Sequence, residues 1–509
     1  MIPLWAAILL AASGGIVLDA AFPDRGWWPL AFVGIGLILA ALIGRRMAAA
    51  FLVGLVGGVA FYLVHIEWAS SFLGPVPMGA LVALQSLLFG AGGASIALAY
   101  RLVPLAFRVG TGRSCLLPAT VAGLWTLREA IASTWPYGGF SWGRVAMSQS
   151  DSPLASLFSW LGISGVGFTM VLLVAITIEA LRHRGAPALT RALPPIALAA
   201  AMVGIPSWPT PVTGTLRIAA VQGNGAAGYF DSRAPGDLTA AQLDATRPLF
   251  GAPVDVVVWP EGATDRSPLT DPYTARVFDE VSREMNAPFL GWAVTERGDR
   301  TYNTEILWTA QNGATDLYDK KHPVPFGEYI PDRAFWRPFA PDLIDLVQRD
   351  YTPGSTDPIF DIGGVLVGVN ICFDIVDDRV LRASVLEGAQ AIISSSNNAD
   401  FGKSDQSAQQ LAIARIRALE LGRSVVNVST VGLTAVIGPD GQILQRLPWF
   451  TAARLIQDVP LVETTTPAAA FGGQIELAAS GLALAVLAGS LFPHPRRTHP
   501  VRLHHHLRP

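Results

Sequence analysis

Hydrophobic and polar residues follow two different patterns along the chain. Before Thr215 and after Glu463, apolar residues form nearly continuous runs, and most of these approach the roughly 20 residues that cross a membrane. Between those two positions, apolar and polar residues alternate over short stretches, as in a soluble domain. The pattern therefore predicts a membrane region that is interrupted by one soluble insert.

The apolar runs predict a membrane bundle of about eight transmembrane helices. The first run lacks a basic N-terminal segment and is followed almost at once by another, so we expect a retained helix and not a cleaved signal peptide. The predicted helices are Pro3–Leu18, Trp28–Gly44, Ala48–Val64, Met78–Leu102, Cys115–Ser133, Ala155–Leu181, Ala192–Ile205 and Ile475–Phe492.

Arginines indicate how this bundle is oriented, because they collect in alternate loops and in the C-terminal tail. By the positive-inside rule, both termini are then cytoplasmic and the insert lies on the outer face of the membrane. We predict transmembrane helices 1–7 in residues 1–210, an extracytoplasmic domain in 211–468, an eighth helix in 469–494 and a cytoplasmic basic tail in 495–509. The arginines are Arg45, Arg46, Arg101, Arg108, Arg113, Arg182, Arg184, Arg191, Arg496, Arg497, Arg502 and Arg508.

Composition agrees with a membrane protein and excludes some partners. Of 509 residues, 51% are hydrophobic and 15% are charged, against about 25% charged in an average soluble protein. The net charge is -3 and the insert carries no basic face interleaved with aromatics, so nucleic acid is not an expected partner. The sequence has no metal-ligand or nucleotide-binding motif, and we expect no metal, no cofactor and a monomer.

Within the insert, short apolar strands alternate with amphipathic helices, which predicts an α/β fold with a mixed sheet. Several strands are apolar at every position, so both faces of the sheet should be covered. The predicted strands are residues 216–222, 255–259, 289–294, 303–309, 365–372, 391–395, 424–429 and 434–437, and the predicted helices are 238–249, 273–286 and 407–422.

Three reactive side chains stand at the ends of predicted strands or segments. Cys372 follows an apolar strand and lies outside the predicted membrane helices, whereas Cys115 is expected as a small buried residue at the edge of one. Glu261 follows a second strand, and Lys320 follows a third short segment. A thiol, a carboxylate and an ammonium together can carry out acyl transfer.

Short motifs extend this pattern over nearly the whole chain. They are Gly139-Phe-Ser-Trp142, Val221-Gln-Gly-Asn224, Trp259-Pro-Glu261, Tyr302-Asn-Thr304, Tyr318-Asp-Lys320, Val324-Pro-Phe-Gly-Glu328, Ile371-Cys372 and the helical stretch Ala414–Gly422. In this order and within an eight-helix frame, they resemble the apolipoprotein N-acyltransferase family of bacterial envelopes, whose soluble part resembles a carbon-nitrogen hydrolase domain of the nitrilase superfamily. The resemblance implies a four-layer αββα sandwich and a location in the bacterial cytoplasmic membrane.

The resemblance also implies a role for each reactive residue. Glu261 would be the general base, Lys320 would stabilise an oxyanion, and Cys372 would form a thioester. Glu328 would pair with Lys320, the alternative being a loop salt bridge in solvent. Lys321 is a second candidate amine, but the family pattern and strand alternation favour Lys320. The implied acyl donor is a membrane phospholipid, and the implied acceptor is the α-amino group of an S-diacylglyceryl cysteine at a lipoprotein N-terminus.

Aromatic residues near the predicted membrane surface are candidates for lipid contact. Phe140 and Trp142 lie in an outward loop, where an interfacial aromatic belt is the alternative. The segment 325–351 is long for a plain connection, and we predict a lid or membrane-dipping arm, the alternative being a packed surface loop. Its candidate lipid-binding residues are Phe326, Tyr329 and Trp336.

Two stretches depart from the more usual family pattern. Phe373-Asp374 stands where Tyr-Glu is common, and Asn397-Asn-Ala-Asp400 stands where Asn-Asp-Ala-Trp is more usual, so we predict that Phe373 and Asp374 support an altered oxyanion environment or acceptor pocket. Two other functions stay open. A membrane-anchored amidase or nitrilase could use the same residues with water as acceptor. A non-catalytic scaffold or transporter would need paired ionisable residues inside the helices, where the sequence has few.

Overall fold

The computed structural model describes residues 2–107, 115–182, 185 and 187–492. Apolar helices form the N-terminal part of the chain and its last described segment. In chain order they are α1 (Leu4–Asp19), α2 (Leu30–Leu42), α3 (Met47–His65), the short α4 (Ser70–Leu73), α5 (Pro75–Ala106), α6 (Leu117–Ala132), α7 (Phe158–Arg182), α8 (Ala188–Gly204) and, after the insert, α15 (Pro467–Gly489).

These helices confirm a helical membrane region but not the number of spans. Among the described residues, the helices α3, α5 and α15 and the segment 155–182 are long and apolar enough to cross a membrane, and α1, α2 and α8 are shorter apolar helices. The orientation of the bundle stays a prediction. Arg108, Arg113, Arg184 and the predicted tail 495–509 lie outside the described residues.

Small residues let the helices of the bundle pack closely. A Cβ atom on Gly15 of α1 would lie 2.4 Å from the carbonyl oxygen of Gly57 on α3, so only glycine fits this contact. Cys115 was expected to be buried, and this expectation is wrong because the residue is exposed just before α6. Its thiol stands at the edge of the apolar run and therefore does not share the burial of that run.

The soluble insert contains two six-stranded sheets. The distal sheet has the strand order β12-β1-β2-β3-β4-β5, and the proximal sheet has the order β11-β10-β9-β8-β7-β6. The strands are β1 (Val212–Gln222), β2 (Val256–Val258), β3 (Phe289–Arg297), β4 (Arg300–Thr309), β5 (Gly313–Asp319), β6 (Ile359–Ile362), β7 (Val365–Ile371), β8 (Ala391–Ser396), β9 (Ser424–Ser429), β10 (Ala435–Ile437), β11 (Ile443–Arg446) and β12 (Ala453–Val462).

Helices cover the outer face of each sheet, which confirms the nitrilase-like layered fold. The remaining helices are α9 (Asp237–Thr246), α10 (Pro272–Met285), α11 (Arg333–Trp336), α12 (Pro341–Ile344), α13 (Asp378–Leu386) and α14 (Asp405–Leu421). The distal sheet packs on α9 and α10, whereas the proximal sheet packs on α13 and α14. Aliphatic side chains such as Ile218, Val258 and Ile393 fill the space between the two sheets. They stand at alternate positions along their strands, on the inner face of each sheet.

The helix layer of the proximal sheet is continuous with the membrane bundle. Ile392 of β8 and Ile416 of α14 belong to the same buried apolar cluster as Phe61 of α3 and Val166 of α7. The distal sheet and its helices form a separate apolar cluster around Trp259. The apolar core of the bundle therefore continues into one of the two halves of the insert.

Candidate active site

The three reactive residues predicted from the sequence meet where strands of both sheets end. Glu261 lies just beyond β2 and Lys320 directly follows β5, both in the distal sheet. Cys372 directly follows β7 of the proximal sheet. Its φ of 50° is unusual for a residue with a side chain, and such strain is found most often at functional sites.

Lys320 is held between two carboxylates. Its Nζ atom lies 2.8 Å from Oε2 of Glu328 and 3.9 Å from Oε1 of Glu261, and the residue is 1% exposed. Burial by itself would lower the pKa of Lys320, but Glu328 and Glu261 outweigh it and hold the pKa above its ordinary value. The ammonium is therefore charged at neutral pH. Lys321 points away, 4.0 Å from Asp357, so the structure brings only the first lysine to the site.

Two asparagines that the sequence left without a role hold the carboxylates in place. Asn303 donates through Nδ2 to Glu261 Oε1 and to Glu328 Oε1, each at 2.8 Å. Its own Oδ1 accepts from the indole of Trp292 at 2.5 Å, which fixes the amide orientation. The backbone N–H of Asn397 donates to Glu261 Oε2 at 2.9 Å. The motif Tyr302-Asn-Thr304 was the sequence signal for the first of these residues.

The pKa values of the base and the thiol are both raised. Burial raises the pKa of Glu261, Lys320 opposes this rise, and Glu328 adds to it. Burial also raises the pKa of the Cys372 thiol well above its usual range, with a further contribution from Glu261 and an opposing one from Lys320. The resting thiol is therefore protonated, and nucleophilic attack needs a base that removes the proton as the sulfur reacts.

The two residues after the cysteine have structural partners. Asp374 is fully buried and accepts hydrogen bonds from the hydroxyl of Tyr318 at 2.9 Å and from the N–H groups of His322 and Ile371 at 3.2 and 3.3 Å. These bonds fix the turn that carries Cys372. Burial raises the pKa of Asp374, while Lys320 opposes the rise.

Phe373 links the same turn to the loop before α7. Its ring stacks on Phe140 and Trp142 with centroid distances of 6.1 and 6.3 Å. Trp142 is 3% exposed and donates through Nε1 to Gln409 Oε1 at 2.7 Å, so it lies in the interior of the molecule, and Phe140 is half-buried. The same Gln409 oxygen accepts from the indole of Trp68 at 3.1 Å.

The segment 325–351 forms an arm with its own small core, in which Ile330, Ile344 and Val347 are buried. The arm carries Glu328, and it contacts the loop after α6 through a 2.9 Å hydrogen bond from the hydroxyl of Tyr137 to Asp332 Oδ2. The candidate lipid-binding residues Phe326 and Trp336 pack on this core, and Tyr329 is partly buried. The exposed large apolar residues of the arm are Phe335, Phe339 and Leu346.

Comparisons with known proteins match both parts of the chain. Residues 14–176 match the apolipoprotein N-acyltransferase N-terminal domain, and residues 200–467 match the carbon-nitrogen hydrolase domain. Apolipoprotein N-acyltransferase from Mycolicibacterium smegmatis is 32% identical over 96% of this chain and 85% of its own length. The chain belongs to the apolipoprotein N-acyltransferase family. The resemblance read from the motifs is confirmed.

Other members of the apolipoprotein N-acyltransferase family match at similar levels. The enzyme of that name from Photobacterium profundum is 28% identical over 91% of each chain. Among solved structures, a CN-hydrolase superfamily protein from Xanthomonas campestris aligns with a TM-score of 0.37 at 18% identity, covering 53% of this chain and 97% of that one. That structural likeness is too distant to carry a functional inference.

Proposed function

We propose that this membrane protein transfers a fatty acyl chain from a phospholipid, through a thioester on Cys372, to the α-amino group of the N-terminal S-diacylglyceryl cysteine of a lipoprotein. The observation that carries the proposal is the buried Lys320 ammonium, held between Glu261 and Glu328 beside a strained cysteine. Such a fixed positive charge is suited to an oxyanion that forms during acyl transfer. Glu328 keeps the ammonium charged and oriented.

In the first half-reaction, Glu261 takes the thiol proton as the sulfur of Cys372 attacks the ester carbonyl carbon of the donor. Negative charge develops on the carbonyl oxygen, and Lys320 stabilises it in a water-poor site. The carbon–oxygen bond to the glycerol then breaks, and Glu261 returns the proton to the leaving alcohol. The products are a lysophospholipid and an acyl thioester on the enzyme.

In the second half-reaction, the neutral amine of the acceptor attacks the thioester carbon. Glu261 accepts a proton from the attacking nitrogen, the carbon–sulfur bond breaks, and the sulfur leaves as a thiolate that regains the proton. The acyl chain is now joined to the acceptor by an amide bond. A base with a raised pKa suits both half-reactions, because it must accept and return a proton near neutral pH.

The position of the domain at the membrane fits both substrates. We assign transmembrane helices 1–7 to residues 1–210, the catalytic domain to 211–468 on the extracytoplasmic side, and the eighth helix to 469–494, with cytoplasmic termini. Donor and acceptor both have acyl tails in the bilayer and reactive groups at its surface. Phe140 and the arm residues Phe326, Tyr329 and Trp336 then contact the acyl chains, while Trp142, Phe373 and Asp374 hold the turn of Cys372.

The test is to trap the thioester in purified full-length protein. Incubation with a phospholipid should add one acyl mass to the peptide that contains Cys372, and a diacylated lipopeptide added afterwards should remove it as an N-acyl product. Cys372→Ala should show neither event, while Cys115→Ala, the matched control in the exposed thiol, should show both. A thioester that water resolves as fast as the lipopeptide does would favour the hydrolase, and full activity of Cys372→Ala would refute the proposal.

A further inference from the structure

A buried carboxyl group without a partner lies between the two sheets, below the reactive residues. Glu305 stands in the middle of β4 and is 0% exposed. Among the residues that the structure describes, neither carboxylate oxygen of Glu305 has a hydrogen-bond partner, and the buried hydroxyl of Ser395 on β8 in the opposite sheet has none either. Such an arrangement is costly for a charged carboxylate, so its presence calls for a functional reason.

The strand register places this group close to the reactive residues. Glu305 and Asn303 are two residues apart on β4 and therefore face the same side of the sheet. Asn303 is the residue that donates to both Glu261 and Glu328. Ser395 is the direct neighbour of Ile371 in the parallel pairing of β7 with β8, and the next residue is Cys372. Glu305 thus occupies the inward-facing position next to Asn303, close to the reactive residues Glu261, Lys320 and Cys372.

Burial without a partner keeps this carboxyl group neutral around pH 7. Burial raises the pKa of Glu305 to about 8, with Glu261 adding to the rise. The Ser395 hydroxyl opposes the rise, although it lies outside the distance or angle of a regular hydrogen bond. A neutral acid is the form that such a site tolerates best.

We propose that Glu305 is a positioning residue of the acylation step, which acts through Glu261 and Cys372. It is a neutral acid during turnover, and its ionisation at alkaline pH slows thioester formation. The inference rests on the proposed function. When Glu305 releases its proton to solvent, a second negative charge appears near Glu261. That charge opposes formation of the Cys372 thiolate and of the oxyanion, because like charges in a buried site repel strongly.

The other titratable groups near Glu305 would produce a different pH dependence. Tyr318 pairs with it from β5 and has a pKa held well above 10 by burial and by Asp374, and Lys320 also stays charged. Ionisation of Glu261 or Cys372 with rising pH would speed thioester formation. Only the ionisation of Glu305 among these groups makes thioester formation slower between about pH 7 and pH 9.

The experiment measures thioester formation alone, because the acceptor amine titrates near pH 7.7 to 8.0 and would mask the effect. Full-length wild type, Glu305→Gln and Glu296→Gln are mixed with phospholipid at pH 7 and pH 9, and the acyl mass on Cys372 is followed with time. Glutamine keeps the shape of the neutral acid without its titration, and Glu296 is an exposed glutamate on neighbouring β3. We expect the ratio of the rate at pH 9 to the rate at pH 7 to be about 3-fold to 10-fold higher in Glu305→Gln than in wild type, and unchanged in Glu296→Gln. Equal ratios in wild type and Glu305→Gln would overturn the inference.

A second measurement does not depend on turnover. Infrared difference spectra of wild type minus Glu305→Gln should contain the carbonyl band of a protonated carboxylic acid at pH 7, and this band should disappear with a midpoint near pH 8. Its absence at pH 7 would overturn the inference even if the variant were inactive. Failure of the proposed function is distinguishable, because it would appear as the absence of any thioester in wild type.

Discussion

The two sheets of the catalytic domain contribute different parts of the site and have different surroundings. The distal sheet supplies the charged groups Glu261 and Lys320, and its outer helices form an apolar cluster of their own. The proximal sheet supplies Cys372, and its outer helices share a buried cluster with the membrane bundle. The nucleophile thus belongs to the half whose core is continuous with the bundle, whereas the base and the ammonium come from the half with a separate core.

Buried polar contacts join the proximal half to the bundle. Arg417 of α14 is 1% exposed and bonds to Asp378 at 2.6 Å and Glu420 at 2.5 Å. Asp378 also accepts from Arg144, at the bundle side, at 2.7 Å. Burial alone would raise the pKa of Asp378, but the two guanidinium groups outweigh it and hold the pKa below its ordinary value. The relative position of the sulfur and the ammonium therefore depends on contacts within the domain and on contacts between the domain and the bundle.

The largest expected effect comes from breaking the buried ion pairs around Arg417, which join the proximal half to the bundle. Arg417→Met leaves Glu420 without its cation and leaves Asp378 with Arg144 alone, and it should lower the free energy of unfolding by about 3 to 5 kcal/mol. Thermal unfolding of wild type and variant in the same detergent measures this loss of stability. Arg415→Met is the matched control on the same helix, because its side chain is 20% exposed where it pairs with Asp151, and it should cost under about 1 kcal/mol. If Arg417→Met and Arg415→Met lower the free energy of unfolding equally, the buried ion pairs of Arg417 contribute no more to stability than an exposed pair.

The next effect tests the charge that the distal sheet supplies. Lys320→Met removes the ammonium and should slow thioester formation about 10²-fold to 10³-fold. Lys321→Met, which changes the neighbouring lysine that lies near Asp357, should stay within about 3-fold of wild type. The measurement is the rate at which the acyl mass appears on Cys372. Similar rates for the two variants would remove Lys320 from the proposed mechanism.

A smaller effect concerns stability between the sheets. The folded-state pKa of Glu305, about 8, exceeds its ordinary value near 4.3, so the folded chain holds a proton that the unfolded chain releases. The contribution of this group to stability is then full below about pH 4.3 and is lost as the pH rises to about 8. The free energy of unfolding of Glu305→Gln should therefore rise by about 3 to 4 kcal/mol relative to that of wild type between pH 5 and pH 8. The measurement is the unfolding temperature of wild type and Glu305→Gln at pH 5 and at pH 8. A difference between the two proteins that is the same at both pH values would contradict this prediction.

The smallest effect tests the aromatic stack between the sulfur and the bundle. Phe373→Leu keeps an apolar side chain but loses the ring contacts with Phe140 and Trp142, which should cost about 0.5 to 1.5 kcal/mol of stability and slow thioester formation several-fold. Phe335→Leu also loses ring contacts, with Trp336 and Phe339, but at an exposed position of the arm, and it should change stability by less than about 0.5 kcal/mol. If the second variant loses as much stability as the first, the stack does not support the nucleophile.

Local pattern in the sequence was sufficient for most of the fold. The strand β9 has the predicted bounds Ser424–Ser429, and the helices α10 and α14 begin and end within two residues of the predicted ones. The strands β5, β6, β11 and β12 were not predicted. β5 has polar residues at Thr315, Asp316 and Asp319, β6 and β11 are only four residues long, and β12 alternates irregularly between buried and exposed positions. Of these four strands, β12 pairs with β1, which is far away in the sequence, and local pattern does not reveal such a pairing.

The site was predictable where strands end in reactive residues. The motifs pointed to Glu261, Lys320, Cys372 and Glu328, and the structure brings the two glutamates to the lysine. The supporting bonds from Asn303 and Asn397 were not predicted, because they depend on which face of a strand or which loop N–H points inward. Glu305 gave no signal either, since a glutamate within an apolar strand looks exposed until its strand is placed between two sheets.

One amide oxygen links three separate parts of the chain. Gln409 on α14 accepts from the indoles of Trp68 and Trp142, in the loops that follow α3 and α6, and the indole of Trp142 stacks on the residue next to the reactive sulfur. Detergents that loosen those loops should therefore inactivate the enzyme without entering its catalytic cleft, and reconstitution into vesicles should restore the activity.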